Sequence, residues 1–294
     1  MYIFTHTSNK KESPHEGTQF ALINQSSMKK LRMLRVAFDT HIRPFEIPAF
    51  RGAIASKVGL EHEWFHNHNN SKQAVDVDNL QDLSTTRYHY RYPLIQYKTK
   101  HHNGAFQPMI ICLGEGVEEA HKFFAQSNWE VDINGQQHQL SISKLDVHQH
   151  NIQVWEREFT YNLFKWQALN QKDFRYYQQL EALSDRYQFL DDKLVKNIVA
   201  FGMGIGWTTD TPIKAKVVKM RNEKYVRYKG QRVLSFDLTF KCNVALPEYI
   251  GLGKGVSKGF GVVRYIDNQS STKQRKKYNH ASVSYTHLTL PTKA

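Results

Sequence analysis

Residues 87–113 read RYHYRYPLIQYKTKHHNGAFQPMIICL. Two runs rich in aromatic and apolar side chains, 87–98 and 106–113, flank Asn103-Gly104. An Asn-Gly pair suits the two-residue turn whose central residues both need positive φ, so the stretch predicts a β-hairpin. Toward the N-terminus, residues 61–86 are polar and lack a period, which predicts a long loop; long loops in compact domains often carry function. Before that loop, AFRGAIASKV at 49–58 places apolar side chains at 50, 53, 54 and 58. Pro48 suits the first turn of a helix there and Gly59 its end. LRMLRVAFD at 31–39 reads as a strand. Toward the C-terminus, Gly114 and Gly116 lead into a short amphipathic helix at 117–125. A second Asn-Gly pair, 134–135, then separates strand-like runs at 129–133 and 139–145. The order β-α-β-β-α-β is that of a ferredoxin-like unit.

The second half repeats the pattern with decoration. NIQVWEREFTYNL at 151–163 reads as a strand or bent strand pair. Residues 173–201 carry apolar side chains at 176, 180, 183, 187, 190, 194, 195 and 198, which predicts one long helix ended by Gly202, Gly204 and Gly206. Its aromatic residues Phe174, Tyr176, Tyr177 and Tyr187 fit core packing better than a base-stacking platform. Strands are expected at 213–220, 225–228 and 233–241, with Lys229-Gly230 as a tight turn, and a glycine-rich loop leads to a last strand at 261–266. The expected fold class is α+β: two tandem ferredoxin-like (RRM-like) βαββαβ domains, at 29–147 and 148–268, the second with a weaker second helix.

The 294 residues suffice for one large domain or two ordinary ones. Hydrophobic residues at 40% and charged residues at 23% permit a packed core and exclude wholesale disorder. Lys and Arg number 40 against 27 Asp and Glu, a formal charge of +13, which favours a polyanionic partner. No run approaches the roughly 18–20 apolar residues of a membrane span, so no membrane partner is expected. The first 28 residues lack the apolar stretch of a secretory signal. Cys112 and Cys242 are far apart and form no zinc pattern; they read as buried thiols of a cytoplasmic protein, with no metal or other cofactor implied.

Both ends read as peripheral. Residues 1–28 are polar and predict a flexible leader. Residues 269–294 predict a disordered tail, in which QSSTKQRKKYNH at 269–280 fits either a basic RNA-binding arm or a plain solvated end. Residues 282–294 resemble translated sequencing-adapter read-through, which would carry no fold.

IGLGKGVSKGFGVV at 250–263 concentrates Gly251, Gly253, Gly255, Gly259 and Gly261 with Lys254, Ser257 and Lys258. Glycine lets backbone N–H groups approach an anion, and the lysines and the hydroxyl suit a phosphodiester backbone. The same residues also fit a turn that crosses close to another backbone. A phosphate-binding GxxxxGK[ST] loop and a dinucleotide GxGxxG do not match, because no Gly-Lys-Ser/Thr occurs and Val256 stands where the third glycine belongs.

Gly251-Leu-Gly253, five residues, then Gly259-Phe-Gly261 near the end of a double ferredoxin-like chain resembles the C-terminal signature of the RAMP superfamily. Within it the chain most resembles the CRISPR repeat-RNA processing endoribonucleases, the sixth of the numbered Cas proteins. Phe240-Lys-Cys-Asn243, Leu246-Pro247, Phe50-Arg51-Gly52-Ala53, Phe65-His66-Asn67-His68 and residues 92–98 (YPLIQYK) extend the resemblance over roughly 30–266. It implies metal-independent cleavage of CRISPR repeat RNA: the ribose 2′-OH attacks the adjacent phosphate, leaving a 2′,3′-cyclic phosphate and a 5′-OH. It also implies repeat RNA as partner, with CRISPR effector subunits as further candidates and either a monomer or a homodimer. The alternative is a noncatalytic RAMP-type subunit that only holds the RNA.

That chemistry needs proton transfer, which histidine suits near neutral pH, and positive charge on the transition state. Family members often carry a histidine shortly after the first helix, where His66 and His68 stand here. The resemblance implies His66 as general acid with His68 as partner or rival, and Arg51 as holder of the scissile phosphate. Lys72 and Lys98 are further candidates for the charge, with the glycine loop as RNA contact. Tyr88, Tyr90 and Tyr92 could orient the 2′-OH or stack on bases. His62-Glu63-Trp64-Phe65-His66 also matches HExxH, but Asn69 and Lys72 stand where the extended zinc motif has Gly and His. KAKVVKMRNEKYVRYK at 214–229 holds seven Lys or Arg among 16 residues, which fits either an RNA-contacting hairpin or an edge hairpin protected by lysines.

Overall fold

The computed structural model describes residues 28–59, 63–66, 92–126, 128–228 and 230–267. The expected leader at 1–28 apart from Met28, most of the 61–86 loop and the expected tail at 269–294 lie outside these residues.

The first half runs β1 (Lys29–Phe38), α1 (Ile47–Val58), α2 (Glu63–His66), β2 (Ile95–His102), β3 (Ala105–Leu113), α3 (Gly116–Glu119), α4 (His121–Phe124), β4 (Glu130–Ile133), β5 (Gln136–Gln139) and β6 (Ile142–Ile152). β2-β3-β1-β6 form one antiparallel sheet. That is the ferredoxin-like order, with the first and third strands of the unit central and the second and fourth at the edges. The opening hairpin forms as expected: Asn103 has φ 48 and Gly104 φ 80, the two left-handed residues its turn requires.

Three details differ. The second Asn-Gly hairpin forms, but β4 and β5 pair only with each other, as a separate ribbon. The fourth sheet strand is β6, which runs unbroken through the expected boundary at 147/148 to Ile152, because Lys29–Phe38 offers it a full-length partner. The helix expected at 117–125 is two single turns, α3 and α4.

The second half runs β7 (Val154–Trp166), α5 (Gln171–Gln179), α6 (Leu183–Gly204), β8 (Ala215–Tyr228), β9 (Gln231–Val244) and β10 (Val262–Tyr265). Its sheet order, β10-β7-β9-β8, repeats the ferredoxin-like arrangement with β8 at an edge. The expected single helix at 173–201 is broken at 180–182, where Leu180 is extended and its carbonyl accepts from Arg186 Nε. Leu183 is exposed just after the break, so the apolar period does not carry across it. β8 is one strand with two bulges where two strands were expected. No second helix stands between β9 and β10; residues 245–261 fill that place.

Strand alternation builds two cores from one sheet. Leu34, Val36 and Phe38 of β1 pack with Phe50, Ile54 and Phe123 beneath α1 and α4. Leu31 and Met33 face the opposite way, into a core shared with Leu163, Trp166, Leu194, Ile198 and Phe236 of the second half. Each such side chain contributes about 1.5–3 kcal/mol on burial, so the two halves are fused through a core. Gly202 lies inside α6, whereas Gly204 is its last residue and Gly206 follows at φ +69, so of the three expected stops only Gly202 falls within the helix. A Cβ on Gly204 would meet Tyr92 Cβ at 2.1 Å, so this glycine admits the first half against the helix. Among the described residues no helix is long and apolar enough to cross a membrane.

Candidate functional site

The glycine loop leaves β9, folds back on β10 and lies in the seam between the halves. Tyr249 N–H donates to Val263 O (2.8 Å), Leu252 N–H to Gly261 O (2.9 Å) and Val263 N–H to Ile250 O (2.9 Å). Lys254 N–H donates to Gln167 O (3.1 Å) and Gly261 N–H to Lys165 O (3.0 Å), tying the loop to the end of β7. The first half holds it from the other side. Tyr92 OH donates to Gly251 O at 2.8 Å, while Gly251 N–H donates to Gln96 Oε1 at 3.0 Å. Lys98 Nζ donates to Val256 O at 2.7 Å and to Phe260 O at 3.4 Å.

Two glycines show why the loop needs its composition. Gly261, with φ +61, would place a Cβ 1.8 Å from Leu252 O, and Gly253, with φ +80, would place one 2.7 Å from Gln167 O. These glycines serve close backbone crossing. Gly251, Gly261 and Ser257 are buried; Gly253, Lys254, Gly255, Lys258 and Gly259 are half-buried and form the loop's outer side.

That outer side meets two other elements. Tyr228, at the tip of the β8–β9 hairpin, packs edge-on to Phe260 at 5.4 Å, and Lys258 Nζ stands 5.6 Å from the centre of the Tyr228 ring. Gly259 lies against Ile47 of α1. One turn further along the same helix face stands Arg51. Its side chain is buried, its electrostatic neighbours are Tyr97 and Tyr228, and burial holds its pKa below the usual arginine value. Arg51 Nε and Tyr97 OH are both buried and have no hydrogen-bond partner among the described residues. A guanidinium drawn from water with an unused donor suits an anion that can accept from it.

Models of the Cas6b N-terminal and C-terminal domains match residues 29–151 and 153–266. The chain belongs to the Cas6b family. The two matches are separated by Ile152, the last residue of β6, and the second begins at Gln153 just before β7. A crystal structure of Cas6b has a TM-score of 0.66 and 24% identity, covering 81% of this chain and all of that one. A crystal structure of a CRISPR RNA processing endoribonuclease Cas6b has a TM-score of 0.56 and 22% identity over the same shares. An uncharacterized protein of Methanocaldococcus jannaschii is 29% identical over 139 residues, 47% of this chain and 93% of that protein.

In this Cas6b chain Arg51 and the glycine loop come together, with Lys254 and Lys258 on the loop's half-buried side. Lys98 does not join them as a surface contact. Its ammonium is fully buried beneath the loop, bonded to two carbonyls, and burial lowers its pKa to about 7. It is a strut under the loop and cannot reach a phosphate outside it. Tyr92 is likewise buried and engaged with Gly251, so it neither stacks on bases nor orients a hydroxyl. His66 ends α2, which Phe65 anchors into the core beside α1. The His66 side chain, His68, Lys72, Tyr88 and Tyr90 lie outside the described residues, as does His62 of the HExxH match.

Gln96 and Tyr97 entered the sequence reading only within the 92–98 segment, and Tyr228 only within the basic hairpin at 214–229. The alternation in Ile95-Gln-Tyr-Lys98 held a signal for one of them: with Ile95 and Tyr97 in one core, Gln96 and Lys98 must face the other side together. The basic hairpin is the β8 edge, with Lys216, Lys219, Arg221 and Arg227 exposed.

Proposed function

We propose that this chain is a metal-independent endoribonuclease of the cytoplasm that matures CRISPR RNA by cutting repeat RNA. The 2′-OH attacks the adjacent phosphate, giving a 2′,3′-cyclic phosphate and a 5′-OH. The observation that carries the reading is Arg51: a buried guanidinium whose Nε has no hydrogen-bond partner among the described residues, set between α1 and the outer side of the glycine loop. There it would hold the scissile phosphate, with Lys254 and Lys258 on the flanking backbone. The charge of the transition state would fall to this guanidinium, a preorganised donor in a site partly withdrawn from water. Protons would be moved by His66 with His68, on the segment that follows α1. The relative whose structure is that of a CRISPR RNA processing endoribonuclease shares the fold, and the basic β8 edge supplies a surface for the RNA backbone.

Incubation of repeat RNA with the purified chain in EDTA tests this. The expected products carry a cyclic phosphate, and His66→Ala abolishes them. Tight binding without cleavage by the wild type would instead support the noncatalytic subunit, in which the same surface only holds RNA. Cleavage that stops on adding EDTA and returns with a divalent cation would sink the metal-independent mechanism.

A further inference from the structure

The β8–β9 hairpin has two faces, and the glycine loop uses only one. Tyr228 touches the loop; Tyr225, an odd number of residues away, points to the other face and pairs across the strands with Leu234 of the shared core. On that face Phe174, Tyr177, Arg186, Glu223 and Tyr225 line a depression of about 240 Å³ between α5, α6 and the hairpin. Tyr225 is 47% exposed, with Phe174 edge-on at 6.3 Å and the Arg232 guanidinium 5.2 Å from its ring centre. The floor is rigid. Tyr177 is buried, its OH donates to Glu223 Oε2 at 3.0 Å, and Arg186 stacks 5.3 Å from its ring while donating to Leu180 O. Glu223 itself is exposed.

We propose that this depression takes one unstacked nucleobase of the bound RNA, and that the base carries an exocyclic amine. The proposal rests on the RNA reading of the preceding section. Aromatic walls suit any base face, and a carboxylate accepts from an amino group such as the cytosine N4 amine but repels a phosphate. Arg227 and Arg232, paired across the strands at the hairpin tip, attract the backbone on the tip side of Tyr225. Tyr225 and Tyr228 are three residues apart, about 10 Å of strand. β8 is the sheet edge, so an RNA strand can cross it from the loop to the depression without meeting another strand. Glu223 is what makes the site selective: uracil offers a carbonyl where cytosine offers the amine, and two acceptors face each other.

The test uses the full chain with single-stranded 12-mers of cytidine and of uridine, read by fluorescence anisotropy. The expected result is cytidine bound roughly five- to tenfold more tightly than uridine by the wild type. Glu223→Gln brings the ratio to about one, since an amide can serve either base. Tyr225→Ala weakens cytidine binding by roughly tenfold, the effect of one lost base stack, and Tyr225→Phe restores it. Tight binding of both oligomers with a ratio near one, unmoved by Glu223→Gln, would overturn the nucleobase site and leave the RNA reading intact. Failure of the wild type to bind either oligomer or repeat RNA would overturn both.

Discussion

The two halves share a strand order but fill the space between their third and fourth strands differently. In the first half that space holds α3, α4 and the β4–β5 ribbon, with Phe123 and Trp129 packed on the core of their own sheet. In the second half it holds the glycine loop, whose buried residues enter the core shared between the halves and whose main chain is gripped by Tyr92, Gln96 and Lys98 of the other half. The short turns and the ribbon find their backbone partners within the first half. The glycine loop does not stay within its own half: some of its N–H and C=O groups take their partners from the other. The second half therefore depends on the first, and the dependence sets the loop's outer side against Arg51.

The largest effect should come from breaking that crossing. Gly261→Ala puts a methyl 1.8 Å from Leu252 O at a backbone φ of +61, with main chain on both sides and nothing able to yield. A loss above about 4 kcal/mol is expected, seen in urea unfolding as little or no folded protein. Gly104→Ala, in the first-half hairpin at φ +80, meets nothing within 4 Å. It carries only the left-handed conformational penalty of about 1–2 kcal/mol. Equal losses for the two would mean that the seam is not the stiffer place.

Next comes Arg51→Met. An apolar chain of similar length fits the buried site, and it removes a guanidinium whose Nε has no partner among the described residues to abandon. Cleavage of repeat RNA should fall by roughly 100- to 1,000-fold, the usual worth of a transition-state donor. Melting temperature should hold or rise, as when a buried charge is replaced by packing. Loss of both activity and stability together would make Arg51 a structural residue.

The same contrast decides what could be read from residues alone. Asn103-Gly104 was legible because its turn demands two positive φ values, which few other pairs supply. The doubled ferredoxin-like order followed from such local signals. The helix break at 180–182 was not legible, since neither Gly nor Pro marks it. Lys98 was misread because a lysine on a strand looks solvent-facing until a distant loop covers it. The loop glycines were recognised, but composition does not distinguish a backbone crossing from an anion cradle; for Gly253 and Gly261 the carbonyls that a Cβ would strike do. His66 and His68, the proposed proton-moving residues, stand on a segment of which only the His66 main chain is described.

Lys98→Met sharpens the comparison through pH. The substitution leaves the Val256 and Phe260 carbonyls without their buried donor, a cost of about 1–3 kcal/mol. Burial lowers the folded-state pKa of Lys98 from 10.5 to about 7. Between those values the unfolded chain holds a proton that the folded chain lacks, so wild-type stability from this group rises with pH across the window and is lost as pH falls through about 7. The gap between wild type and Lys98→Met in urea melts should therefore widen from pH 6.5 to pH 9.5. A constant gap would show that the amine stays charged under the loop.

The smallest effect separates surface charge in the two corresponding places. Lys254 lies on the half-buried outer side of the loop; Lys122 lies in α4, ion-paired with Glu119 three residues before it. If the loop side follows the RNA backbone, Lys254 displaces one counterion. Lys254→Ala should then flatten the slope of log affinity against log salt by about 0.7, the value for one phosphate on a single strand. Lys122→Ala should leave that slope unchanged, because its partner already neutralises it and its face belongs to the first half's own cover. Equal flattening by both variants would mean that RNA spreads over either half without regard to the loop. An unchanged slope for Lys254→Ala alone would confine phosphate recognition to Arg51 and the β8 edge.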